Sequence, residues 1–149
     1  MADLYAAAGS RIYIGGVLAS KNSDFVAGDF ASQVWVEVDG FKKMGDIGDN
    51  AEVITTKLIN RSRDIKQKGT NNAGSYEASF AVVTGDAGQT ALKTAQGTKN
   101  NYAFKIAYSS GEVSYFIAMV MSRTRAGGEA NTVLEMGCTL EINSNVVEV

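Results

Sequence analysis

Proline and histidine are absent from this 149-residue chain, and cysteine and tryptophan occur once each. Without histidine there is no serine–histidine or cysteine–histidine nucleophile and no imidazole metal site. The lone Cys138 cannot form an internal disulfide or a CxxC motif, so nothing suggests a disulfide-built secreted scaffold. No apolar run approaches the roughly 20 residues that span a bilayer. The start, Met1-Ala2-Asp3-Leu4-Tyr5-Ala6-Ala7-Ala8-Gly9, has no basic region and an early aspartate, unlike a signal peptide. The expectation is a soluble product of the cytoplasm.

Charge is scarce and nearly balanced, with 14 basic and 16 acidic residues and a net charge of −2. A dedicated nucleic-acid binder would carry a basic domain or face. The distribution is uneven, however. Residues 1–56 carry eight acids and four bases, and residues 69–149 carry seven acids and five bases. Between them, Lys57, Arg61, Arg63, Lys66 and Lys68 stand against Asp64 alone.

What the chain has in quantity is period-two alternation, the mark of half-buried strands. Arg11–Leu18 places Ile12, Ile14 and Leu18 on one parity. Gln33–Val38 sets Val34, Val36 and Val38 against Trp35 and Glu37. Glu52–Ile59 is β-branched, and Ser75–Val83 alternates Tyr76, Ala78, Phe80 and Val82 with small or polar residues. Tyr102–Tyr108 and Val113–Ser122 flank Ser109-Ser110-Gly111-Glu112, a hairpin turn. Leu134, Met136, Cys138, Leu140 and Ile142 complete the set. The pattern predicts a mainly β domain over 1–149, an antiparallel sandwich or barrel of about seven strands. Residues 60–74 read as a long inter-strand loop, which at that length is a functional arm or a flexible connection.

One segment is helical. Asp86-Ala87-Gly88-Gln89 has the acid–x–x–Gln form of a capping box. Ala87, Ala91, Leu92 and Ala95 follow at helical spacing, and Gly97 suits a left-handed stop, which predicts a short helix over about 86–96. Its shallow apolar stripe predicts that it lies flat across an end or outer face of the sheets.

Catalytic chemistry finds little to stand on. Gly45-Asp46-Ile47-Gly48-Asp49-Asn50-Ala51-Glu52 is acidic and glycine-bearing, but it lacks the alternating spacing of an EF-hand and reads as a turn. Gly15-Gly16 and Gly127-Gly128 lack the further glycine and lysine of a phosphate loop. Cys138 lies on the apolar parity of its strand, as a small buried hydrophobe would. Trp35 is open to either a core or an interface role. The residues indicate no catalytic group, no metal and no cofactor, which leaves a small hydrolase unsupported. A soluble β-sandwich binding module stays in contention, and it would be monomeric with an aromatic patch. The basic segment has its own best use: on an acidic body it is self-complementary head to tail, the kind of contact that generates rings or filaments.

Several stretches, taken in order, resemble the major tail tube proteins of long-tailed bacteriophages. They are Ala8-Gly9-Ser10-Arg11-Ile12-Tyr13-Ile14, then Gly45 through Thr56, then the loop from Arg63 to Gly74 and the strand Tyr76–Phe80. Asp86-Ala87-Gly88-Gln89-Thr90-Ala91-Leu92 is similar to that family's helix start, and the Ser-Gly turn, long strand, glycine-rich loop and last strand follow in the same order. The resemblance implies a virion structural protein, assembled in the host bacterial cytoplasm and not an enzyme. Its homo-hexameric rings would stack into a hollow tube that passes DNA without binding it specifically. Its partners would be itself and other tail proteins: tape measure, tail terminator, and baseplate or tip. Tubes of contractile tails and type VI-like systems are the related alternative. In such a tube Lys57, Arg61, Arg63, Asp64, Lys66 and Lys68 would form the inter-subunit arm, and residues 1–10 a further arm at an interface. A lumen that lets DNA slide favours acidic and small polar side chains, which makes Glu37, Glu77, Glu135 and Glu141 the candidate lining. Proline is one of the devices that keep sheet edges from pairing, and its omission suits edges that must join neighbours.

Overall fold

Alternating apolar residues can bury one side of a strand only if the strands share a sheet, and here most of them do. The computed structural model describes residues 3–149; Met1 and Ala2, the start of the expected N-terminal arm, lie outside the described residues. The strands are β1 (Arg11–Val17), β2 (Val36–Glu37), β3 (Phe41–Lys43), β4 (Asn50–Thr56), β5 (Ile65–Asn72), β6 (Ser75–Ala81), β7 (Tyr102–Ala107), β8 (Val113–Ala126), β9 (Glu135–Ile142) and β10 (Val147–Glu148). One antiparallel sheet runs β2-β1-β7-β8-β9-β6-β3, with β10 pairing on β8. It curls into a half-barrel. Strands β4 and β5 pair only with each other, as a separate two-stranded sheet.

The main core fills the inside of the curl. Ile12, Ile14, Tyr76, Phe80, Phe104, Phe116, Met136 and Leu140 are all buried there, each on the apolar parity of its strand. Phe104 stacks on Phe116 with ring centroids 5.6 Å apart. Cys138 belongs to this cluster, and burial pushes its thiol up to about 12, partly offset by the Arg123 guanidinium. The opposite face of the sheet is covered over one half alone. There Phe25 and Phe30, around a short 3₁₀ turn at Ala27–Phe30, pack on Ala103 and Ile117 with Trp35 and Tyr115 beside them. Asn145 pins this strap by accepting from the Phe25 N–H (2.7 Å) and donating to its carbonyl (3.0 Å). Trp35 therefore serves a second, smaller core.

Helix α1 (Ala87–Gln96) closes the curl, packing on β8, β1 and β2. Asp86 caps it, accepting from the Gln89 N–H at 3.0 Å. Gln89 does not return the bond as a capping box would. Its side chain is buried, its Oε1 accepts from Val83 N–H, and its Nε2 donates to the carbonyls of Asp39 and Ala81. Gln89 thereby satisfies three backbone groups where the strand ends converge, and the cap N–H is satisfied instead by the Val83 carbonyl. Gly88 lets the helix touch the chain below, since a Cβ there would stand 2.2 Å from the Glu37 carbonyl.

Three local expectations change. The packed face is Gly88, Gln89, Leu92 and Ala95, leaving Ala87 exposed, and Leu92 and Ala95 join the main core rather than lying across an outer face. Gly97 has φ −76°, so the helix ends in tightened bonds to Thr94 and Ala95 and not in a left-handed turn. The long loop expected over 60–74 is largely strand β5, paired residue by residue with β4. No described helix is long and apolar enough to cross a membrane.

Candidate assembly surfaces

The basic segment lies on the β4–β5 hairpin. Its register sets Val53 opposite Lys68 and Thr55 opposite Lys66 on one face, and Ile54 opposite Gln67 and Thr56 opposite Ile65 on the other. One face is therefore cationic and the other partly apolar. Lys57, Arg61, Arg63 and Asp64 sit in the connection between the strands, with Leu58 and Ile59 beside them. All six expected arm residues are exposed, as are Val53 (67%), Ile54 (50%) and the whole of Ile59. The ion pairs among the described residues are Arg11–Glu37, Lys21–Asp29 and Lys42–Glu135, and none engages the arm. At Asp29 the Lys21 hydrogen bond and the Val26 N–H hold the carboxyl below its ordinary value. The hairpin's strands pack extensively on each other and on no other element to a comparable extent. A two-stranded ribbon without such support is marginal in water.

The uncovered half of the sheet's outer face is the second surface. Pairing across β6, β9 and β8 builds rows of Ser75–Glu141–Met119, Glu77–Thr139–Ser122, Ser79–Gly137–Thr124 and Ala81–Glu135–Ala126. An extra residue in β8, near Met121, keeps Ser122 and Thr124 on this side. The surface is small, polar and acidic, and Lys43 and Asp46 border it in one open groove. Glu77, Glu135 and Glu141 share it, with Glu141 accepting from the Ser75 hydroxyl and Glu135 held by Lys42. Glu37 is elsewhere. It lies on β2, opposite Tyr13 at the far border of the sheet, 3.5 Å from Arg11. Period-two reading finds the parity of all four acids, but strand order decides which meet, and that is not written in any one strand.

The described part of the N-terminal arm lies along the β7–β8 turn. The Ser109 hydroxyl donates to the Ala6 carbonyl, and Ser109 N–H donates to the Ser10 hydroxyl at 3.2 Å. Leu4 and Tyr5 beyond it are exposed. No group of three or more metal-ligating side chains gathers among the described residues.

No protein-family model matches the sequence, and no curated protein matches it closely enough to count as a relative. Solved structures do match. A chain of the anti-feeding prophage baseplate, determined with 6-fold symmetry, superposes over 100% of this chain and 97% of its own at TM-score 0.73 and 10% identity. A chain of the tail of the empty gene transfer agent particle, refined with C6 symmetry, aligns over 93% and 95% at TM-score 0.63 and 14% identity. The SPP1 tail tube aligns over 93% of this chain and 76% of its own, at TM-score 0.62 and 16% identity. At such identities the likeness is one of backbone architecture. The chain has the fold of the subunits that build phage tail tubes and the related parts of injection particles.

Proposed function

We propose that this protein is a structural subunit, without catalytic activity, that assembles into homo-hexameric rings stacked as a hollow tube. In the complete particle the tube belongs to a virion tail, formed in the host bacterial cytoplasm, and conducts DNA. It joins itself along its length, a tape measure within, and terminator and baseplate or tip proteins at its ends. One observation carries the reading: an amphipathic hairpin with a cationic face and an exposed apolar face projects, uncovered, from an acidic body. Burying Ile54, Leu58 and Ile59 on a neighbour would be worth on the order of 1–2 kcal/mol each. The five bases then select the acidic partner that another copy provides. Fold similarity to subunits of 6-fold assemblies supports the same reading.

The polar outer face of β6, β9 and β8 is the channel wall under this proposal. Serine, threonine and glycine give sliding DNA few places to bond, and Glu77 and Glu141 repel its phosphates. Glu37 joins them only if the far border of the sheet also faces the lumen.

A second reading has its own support. The anti-feeding prophage baseplate and a sheath/tube terminator of an extracellular contractile injection system match at TM-scores 0.73 and 0.68. That favours a tube or tube-end subunit of a contractile particle, in which the outer wall would also meet a sheath.

Electron microscopy of the concentrated, purified protein tests the class. Rings or tubes are expected, and a stable monomer at all concentrations rejects assembly. Imaging native particles for a sheath separates the two readings. Arg61→Glu with Arg63→Glu should abolish tubes at physiological salt while leaving the monomer folded; unimpaired tubes would reject the arm.

A further inference from the structure

The polar outer face of β6 and β9 ends abruptly in apolar side chains. The ladder continues past Ala81–Glu135 through Val82 N–H, which donates to the Leu134 carbonyl at 2.9 Å. Continued one residue further, that register puts Val83 and Val133 on the outer-face parity, one step beyond the last polar row. They are 37% and 66% exposed, a lip of two valines on a face whose other β6 and β9 positions hold Ser, Thr, Gly, Glu and Ala81, whereas Leu134 lies on the opposite parity with Val82. The chain around the lip is acidic: residues 82–86 and 127–135 hold Asp86, Glu129 and Glu135 and no base. Lys42 neutralises Glu135, and Asp86 is occupied as the helix cap, which leaves Glu129 as the free carboxylate. Arg125, opposite Met136, is on the other face.

The β4–β5 hairpin leaves the sheet at the opposite end, where Asn72, Ala73 and Gly74 lead straight into Ser75. From Ser75 to Val83 the strand covers about 26 Å. One end of the molecule thus presents aliphatic side chains with bases, and the other presents aliphatic side chains with acid. The two surfaces match in chemistry, lie at opposite ends of the same strands, and are both uncovered within one copy. Such a pair closes only between copies, in a head-to-tail and open-ended way.

We infer that Leu58 and Ile59 of one copy seat against Val83 and Val133 of the next copy along the tube, with Arg61 and Arg63 set against Glu129. This rests on the polymerising reading above and adds the identity of the receiving surface. Both sides being exposed in the subunit, cysteines placed there leave its fold intact, and native Cys138 is buried out of reach.

The test uses assembled full-length protein and a short bismaleimide cross-linker. Ile59→Cys combined with Val133→Cys should give a covalent ladder of dimers, trimers and longer chains, because each copy carries both halves of the joint. Either single variant should stop at the dimer. Ile59→Cys with Asp49→Cys, which places the second thiol at the hairpin's own end of the sheet, should also give no ladder. Tubes that form but yield no Ile59–Val133 ladder, or that yield one with Asp49 instead, overturn the seat while leaving assembly standing. Native protein that never forms rings or tubes takes down both. For the charged part, adding Glu129→Arg to the Arg61→Glu, Arg63→Glu variant should restore tubes; persistent loss overturns the Glu129 pairing.

Discussion

Two of the molecule's antiparallel hairpins, β7–β8 and β4–β5, differ in what supports them. In β7–β8 the turn is closed by Tyr108 N–H donating to the Glu112 carbonyl and Gly111 N–H donating to the Tyr108 carbonyl, Gly111 supplies φ +96°, and Phe104 and Phe116 are wholly buried. In β4–β5 the backbone ladder is as long, with one irregularity between Ala51 and Val53, yet Val53, Ile54 and Ile65 are not buried and no third strand joins it. Hydrogen bonding is therefore similar in the two, and hydrophobic burial separates them. A ladder defines a hairpin's shape; burial of one side gives it stability in isolation.

The comparison can be broken most severely from the buried side. Phe116→Ala should destabilise the subunit by about 3–5 kcal/mol in chemical denaturation, because it leaves a cavity beneath the curl. Gln89→Leu ranks next, at about 1–3 kcal/mol, since it removes the buried side chain that bonds the Asp39 and Ala81 carbonyls and the Val83 N–H. Ile54→Ser, on the free hairpin, should change monomer stability by no more than about 0.5 kcal/mol while raising the concentration needed for assembly. Amide exchange sharpens the contrast without mutation: β4–β5 amides should exchange fast in the monomer and slow on assembly, whereas β7–β8 amides stay slow throughout.

A further expectation concerns high pH. Burial raises the Cys138 thiol from 9.0, and the Tyr76 phenol from 10.0, to about 12 in each case. The folded state holds these protons more tightly than the unfolded chain does. Their contribution is intact below about pH 9 and is lost progressively as pH rises toward about 12. A denaturation series across that range should show the decline, and Cys138 should resist thiol reagents at pH 8 until the protein unfolds.

The same contrast governs what the sequence discloses. Strands β6, β7, β8 and β9 are legible because burial imposes alternation on Tyr76, Phe80, Phe104, Phe116, Met136 and Leu140. Strand β5 reads Ile-Lys-Gln-Lys-Gly-Thr-Asn-Asn and looks like a loop, because no core face constrains it. Strands β2, β3 and β10 are too short for any period to show. Asp86 and Gln89 announce the helix start, but the Gln89 bonds to Ala81 and Asp39 depend on which strand ends converge there. Charge segregation marks 57–68 as exceptional from sequence alone. That Lys66 and Lys68 share one face, away from Ile54, depends on the β4 register, and the Val83–Val133 lip depends on a ladder between segments 50 residues apart.

Strands β2 and β3 form the two opposite borders of the seven-strand path, yet Val38, Asp39 and Gly40 alone separate them along the chain. The Gly40 carbonyl accepts from the Ala81 N–H at 2.7 Å, while Gln89 donates to the Asp39 carbonyl. Mechanically this is a drawstring. Splaying the curl would pull directly on this three-residue link, so part of a load that twists or squeezes the subunit falls on covalent chain. If subunits stack as proposed, the stack would bend at the hairpin joints before its wall segments open.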